Sequence, residues 1–212
     1  MNVGKLLFGL ALSLLIGSGV AVAADFDNGV KAAQSGNFKT ALTEWAPLAE
    51  LGHANAQYHL AYLYLNGDGV PQNYKTARKW FTLAAEQGVA DAQYNLGRIY
   101  TEGHGVQKDD KTAFRWHTKA ATQGHANAQY FLGFMYYDGY GFFTDKLRAY
   151  MWFTVAGLNG NSSSIGSKLK IAKIMSPAQI DTAQEMSIRC FKSNYTDCEN
   201  GSLLGRLSQI LY

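Results

Sequence analysis

GHANAQYHLAYLYLNGDGV, residues 52–70, followed at 75–87 by KTARKWFTLAAEQ, is the stretch that decides the fold. It returns without insertion at 88–123 and more loosely at 124–159. Ala56-Gln57-Tyr58 becomes Ala92-Gln93-Tyr94 and then Ala128-Gln129-Tyr130. Gly67/Gly69 becomes Gly103/Gly105 and Gly139/Gly141, and Trp80 becomes Trp116 and Trp152. A fixed period of 36 residues is the length of a helical hairpin, and such self-similarity marks a solenoid.

Each unit reads as two helices. Ala56, Leu60, Leu63 and Tyr64 fall at the three-and-four spacing of one helix face. Asn55, Asp91 and Asn127 stand near the starts of the first helices, where a short polar side chain accepts from orphan N–H groups. The Asn66-Gly67-Asp68-Gly69 loop breaks the helix because glycine takes positive φ without a Cβ penalty. Pro71 delays the second helix to Tyr74, and its inward stripe is Ala77, Trp80/Phe81 and Ala84/Ala85. Small residues there let helices approach while the aromatics fill the space. Trp80, Trp116 and Trp152 are expected to form an inner spine. A hairpin of this size buries its apolar face only by stacking on its neighbours.

The pattern A-x-A-Q-Y-x-L-G-x-x-Y, then G-x-G, then A-x-x-W-x-x-x-A-A-x-x-G resembles the Sel-one-like repeat (SLR) family, a 36-residue relative of the tetratricopeptide repeat. The second copy carries it at Ala92, Tyr94, Leu96, Gly97, Tyr100, Gly103, Gly105, Ala113, Trp116, Ala120 and Ala121. Ala61 stands where the pattern has glycine, and Gly157 where it has the second alanine. The resemblance implies an all-α fold, an α/α right-handed solenoid of stacked hairpins, with repeats at 52–87, 88–123 and 124–159. It also implies that the first helices line a concave groove whose variable positions select a protein or peptide partner.

Outward from the repeats, 1–24 reads as a secretory signal peptide: Lys5, an apolar run from Leu6 to Ile16, then small residues through Ala24. Export to the periplasm or medium follows as an expectation. Losing Lys5 lowers the net charge from +3 to +2, which argues against nucleic acid and strong membrane attraction. Residues 25–51 read as a degenerate N-terminal capping repeat: Phe38-Lys39-Thr40-Ala41 precedes Tyr74-Lys75-Thr76-Ala77 by one period, with a shorter Ser35-Gly36-Asn37 turn and Pro47 set to kink the second helix. Residues 160–212 read as a degenerate fourth repeat and capping helices. Ser164–Met175 is its first helix, packing through Leu169, Ala172 and Ile174. A capping box at Ser176-Pro177-Ala178-Gln179 opens the next, through Ile180, Ala183, Met186 and Ile188. Gly201–Tyr212 has apolar residues at helical spacing, for a capping or docking helix. Cys190 and Cys198 are the only cysteines, and in an exported chain the pair is expected to be a disulfide.

No catalytic constellation, cofactor site or metal site emerges. His53 and His125 lie two units apart, roughly 20 Å given ~8–10 Å helix spacing. His59 and His117 read as ordinary substitutions at variable positions, and the histidines as a set read as solvated or cap-side. The Asn161-Ser162-Ser163-Ser164 run lacks a glycine-flanked elbow, and the repeated Gly-x-Gly is a turn, since no strand precedes it. Some cysteine-rich relatives are linked to β-lactam chemistry, but they carry a cysteine pair in every repeat and this chain does not. The reading is a non-enzymatic adaptor with no transmembrane segment in its mature form, its oligomeric state left open with a monomer preferred. The alternatives are a peptidoglycan binder or enzyme accessory, and a secreted host-interaction factor. The groove candidates are the residues that change between units: His59, Asn95 and Phe131; Tyr62, Arg98 and Phe134; with Asn55, Asp91 and Asn127, and with Tyr137, Tyr140 and Phe142 extending the stripe.

Overall fold

The computed structural model describes residues 24–140 and 143–198. The expected signal peptide, Phe142 and the Gly201–Tyr212 segment lie outside the described residues. Ten helices follow in chain order, and the described residues hold no strand: α1 (Phe26–Gln34), α2 (Phe38–Glu50), α3 (Ala54–Asn66), α4 (Tyr74–Glu86), α5 (Ala90–Glu102), α6 (Asp110–Ala121), α7 (Ala126–Asp138), α8 (Lys146–Leu158), α9 (Ser163–Ala172) and α10 (Pro177–Lys192). Each helix from α1 to α8 packs on the next, so the chain is an α/α solenoid in which a first helix (α3, α5, α7) alternates with a second (α4, α6, α8). Residues 25–51 supply α1 and α2 at one end, and α2 continues through Pro47.

The recurring sequence marks have distinct jobs. Gly67, Gly103 and Gly139 close α3, α5 and α7 in the left-handed conformation. The second loop glycine is there for proximity as well as φ. A Cβ on Gly69 would lie 2.9 Å from Phe38, and one on Gly105 2.8 Å from Tyr74, each at the start of the preceding second helix. The buried glutamines form a ladder along the stack. Gln57, Gln93 and Gln129 donate to the carbonyls of Ala49, Ala85 and Ala121 at the ends of α2, α4 and α6, which also accept from the N–H groups of Gly52, Gly88 and Gly124. Each glutamine accepts in turn from the end of its own repeat: Gln87, Gln123 and Asn159, all at 2.7 Å.

The caps differ from expectation. Asn55, Asp91 and Asn127 are the second helical residues, not the caps. The Nδ1 atoms of His53 and His125 accept from Ala56 N–H and Ala128 N–H at the N-cap position, and Val89 provides no side-chain cap. Asp91 and Asn127 instead reach the next repeat, at His125 Nε2 (3.1 Å) and Asn161 Nδ2 (2.8 Å).

The core spine lies one position after the tryptophans. Along α4 the buried residues are Ala77, Phe81, Ala84 and Ala85, a stripe of four-, three- and one-residue steps, and Trp80 falls on its flank. The spine is therefore Trp45, Phe81, His117 and Phe153, all buried. Trp80 and Trp116 are only half-buried, with the ammonium groups of Lys79 and Lys119 over their rings at 5.0 and 4.4 Å. Opposite the spine the first helix must come close. A Cβ on Gly97 would lie 2.7 Å from His117, and one on Gly133 2.5 Å from Phe153. Gly29 holds that place against Trp45, four residues out of register because the first turn is shorter.

The C-terminal region departs from the period. α9 buries Ser164 and Ile171, while Leu169 and Ile174 are exposed, so the expected packing face is rotated. α10 opens with the expected capping box at Ser176 and Gln179. It packs chiefly across α8, burying Ala183, Met186 and Cys190 and leaving Ile188 exposed. Trp152 is fully buried in the same cluster as Ala183, Met186 and Cys190. Cys190 and Cys198 form a disulfide, and Tyr195 inside its loop donates to Asn159 Oδ1 at 2.9 Å, extending the polar ladder by one rung.

Candidate partner-binding face

Two cavities open on the first-helix side, and they occupy equivalent places one repeat apart. The first, about 250 Å³, is lined by Asn66, Gln72, Tyr74, Asn95, Arg98, Glu102 and His104, with Leu65 and Ile99. The second, about 300 Å³, is lined by Thr101, Tyr130, Phe131, Phe134, Met135, Asp138 and Tyr140. Adding one period to Asn95, Arg98, Ile99, Glu102 and His104 gives Phe131, Phe134, Met135, Asp138 and Tyr140. One groove position is thus polar between the first two repeats and aromatic between the next two.

Five residues of the expected groove stripe, Asn95, Arg98, Phe131, Phe134 and Tyr140, are brought to these cavities. In the polar cavity Arg98 donates through Nε (3.0 Å) and Nη2 (2.8 Å) to Glu102 Oε1, and Glu102 Oε2 lies 3.0 Å from His104 Nδ1. Burial alone would lower the Arg98 pKa, but the hydrogen bond and charge of Glu102 together outweigh it and raise it. His104 stacks on Tyr74 at 4.8 Å. Asn95 is buried, its amide donating to Asp91 O at 2.8 Å. In the aromatic cavity Tyr130 meets Phe134 edge-on at 4.8 Å, and Phe134 meets Phe153 at 5.2 Å.

His59 and Tyr62 are committed to packing, whereas Asn55, Asp91 and Asn127 are exposed. His59 stacks on Trp45 at 4.6 Å, and its desolvated ring is shifted toward the neutral form. Tyr62 packs edge-on against Tyr58 (5.2 Å) and Phe81 (5.6 Å), with its hydroxyl 3.5 Å from Asn95 Oδ1. Phe131 and Phe134 do not rest on a fourth repeat. Phe131 stacks on His117 at 5.1 Å, and Phe134 lies on its own repeat's Phe153. Tyr137 and Tyr140 are exposed.

His117 is the residue that sequence reasoning placed wrongly. It is buried with both ring nitrogens unpartnered, between Tyr94 and Phe131, and burial followed by the charges of His125 and Arg98 lowers its pKa to about 3. The signal was present: adding one period to Phe81 lands on His117, and another on Phe153. Among the described residues no group of histidines, cysteines and carboxylates is placed to hold a metal ion, and no helix is long and apolar enough to cross a membrane.

The family model described as Sel1 repeat matches residues 54–89, 90–125 and 126–161. Among solved structures the chain is similar to a Sel1 repeat protein from Oxalobacter formigenes: 31% identity, TM-score 0.65, covering 68% of this chain and 59% of that one. It is also similar to a protective antigen present in uropathogenic Escherichia coli strains and displaying an SLR fold: 28% identity, TM-score 0.51, covering 88% of this chain and 48% of that one. The chain therefore spans about half to three-fifths of those two proteins. Comparison with curated proteins finds no match.

Proposed function

Because the chain belongs to the Sel1 repeat family, we propose that it is an exported, non-enzymatic adaptor that holds a protein or peptide partner along the groove of its first helices. The observation that carries this reading is the pair of equivalent cavities. Consensus positions of the repeat are spent on glycine closures, the glutamine ladder and the alanines beside the spine, whereas Asn95, Arg98 and His104 in one cavity give way to Phe131, Phe134 and Tyr140 in the other. A change of chemistry between equivalent groove positions is what a selective binding surface requires, and arginine and aromatic rings are the groups enriched where binding energy concentrates. The leader-like residues 1–24 and the disulfide favour an oxidising compartment. The similarity to a protective antigen adds support for a location outside the cytoplasm.

Removing Arg98 and Glu102 together, Arg98→Ala with Glu102→Ala, leaves no orphaned charge and tests the groove. Crosslinked pull-downs from the native envelope should lose their partner while the melting temperature moves by less than about 2 °C, as for an exposed ion pair. Undiminished capture of the same proteins would refute the groove, and retention on purified peptidoglycan instead would favour a glycan binder. Tyr62→Ala is a poorer probe because the ring is packed against Phe81.

A further inference from the structure

We propose that the aromatic cavity of the third repeat is a receptor for an arginine side chain of the partner. The proposal rests on the adaptor reading and names the chemistry of what the groove holds. In the second repeat, Glu102 is neutralised from within by Arg98, one helical turn away. One period on, the carboxylate is kept as Asp138 but the arginine position holds Phe134. Asp138 is exposed and makes no ion pair among the described residues, and no basic side chain lines the cavity. The acid is conserved between the two repeats of this chain while its internal cation is replaced by a ring.

What replaces the cation is a wall of rings. Tyr130, Phe131, Phe134 and Tyr140 line a space of about 300 Å³ with Asp138, at the low end for a ligand pocket and suited to one long side chain. Aromatic faces attract a guanidinium through their quadrupole, and a carboxylate supplies the hydrogen-bond acceptor. An aliphatic occupant would leave the carboxylate unused, and an acidic one would face repulsion from it.

The wider charge pattern agrees. The first helices α3, α5 and α7 carry Asp91, Glu102 and Asp138 against the single cation Arg98. The second helices carry the opposite balance: three basic residues on α4, three on α6 and two on α8, with one acidic residue each on α4 and α6. A basic segment is thus steered to the first-helix side.

The test is a nuclear magnetic resonance titration of the purified protein at low salt with two probes, acetyl-Gly-Ala-Arg-Ala-Gly-amide and the same peptide with neutral, isosteric citrulline. The arginine probe should shift the amides of Thr101, Phe134 and Asp138 and bind at least about tenfold more tightly than the citrulline probe. Asp138→Asn should remove most of that preference without unfolding the chain. Phe134→Arg, which recreates the internal pair of the second repeat, should abolish binding. Equal binding of the two probes, shifts confined to another face, or no shift at all would overturn the proposal. Failure here alongside partner loss in the Arg98/Glu102 double variant would leave the adaptor standing. An arginine preference alongside undiminished capture by that variant would remove the adaptor and leave the site.

Discussion

Beneath Gly97 in the second repeat lies His117, and beneath Gly133 in the third lies Phe153. Both rings are fully buried, and both exclude a Cβ on the facing helix. Phe153 brings only apolar atoms to its site, whereas His117 brings two nitrogens that find no partner. The tryptophans diverge the other way. Trp116 lies partly buried on the flank of α6, while Trp152, one period on, is fully buried in the cluster that α10 joins through Ala183, Met186 and Cys190. The geometry of a repeat is therefore set by its glycines, alanines and glutamines, and the energy of each copy by what fills the spine and what covers the flank.

That difference gives the largest expected effects. Phe153→Ala and Trp152→Ala should each cost about 3–5 kcal/mol, as for buried aromatic truncations. Trp116→Ala should cost less than half as much, because much of its ring is already in water and its truncation opens no sealed cavity. Urea titration of the three variants measures the ratio, and equal losses at Trp116 and Trp152 would show that α10 does not distinguish the two repeats.

The closure of the third repeat is itself pinned. The Cys190–Cys198 bridge holds a short loop from which Tyr195 reaches Asn159 and rests against Gly124. Cys190→Ala with Cys198→Ala should lower stability by roughly 2–3 kcal/mol in the loop-entropy model. The second repeat, with no such cover, should keep its amide protection while the ends of α8 and α10 lose theirs. Hydrogen exchange reads both at once, and uniform loss along the stack would mean that the repeats open as one unit.

How much of this was legible in the sequence follows the same division. The hairpins, the glycine closures, the start of α4 at Tyr74, the capping box at Ser176 and the disulfide all rest on local chemistry repeated in register, and they were readable from residue type and spacing. Tertiary placement was not. The spine was expected at the recurring Trp80, Trp116 and Trp152, whereas the stripe set by Ala77, Ala84 and Ala85 selects position 81. The histidines at 53 and 125 cap helices because the chain turns there with their Nδ1 atoms over the N–H groups, a geometry that Asn55 and Asn127, two residues on, do not have. The groove candidates were found by their variation, but variation alone did not separate Arg98, which lines a cavity, from His59, which packs on Trp45. The equivalence of the two cavities needed the folded register to bring residues from α3, α4 and α5, and from α5 and α7, to one wall.

The finest contrast between the repeats is a proton. In the unfolded chain the His117 imidazole titrates near its ordinary value of 6.5, whereas in the fold it stays neutral until about pH 3. Between those values the unfolded state binds the extra proton, so the contribution is fully present above pH 6.5 and is lost as pH falls. At pH 5 the loss should be about 2 kcal/mol relative to pH 7.5, at up to 1.36 kcal/mol per pH unit. His125 and Arg98 add to the effect because their positive charges disfavour another cation nearby, and His59 shifts in the same direction to a lesser degree. His117→Phe copies the residue that the third repeat places under its own glycine, so the ring fits the frame, and two buried nitrogens without partners are removed. The variant should be more stable than the parent at pH 7.5 and should lose about 2 kcal/mol less between pH 7.5 and 5. Urea midpoints at the two pH values decide the matter. Parallel losses in parent and variant would mean that His117 finds a partner in solution, and that the second repeat's spine is no weaker than the third's.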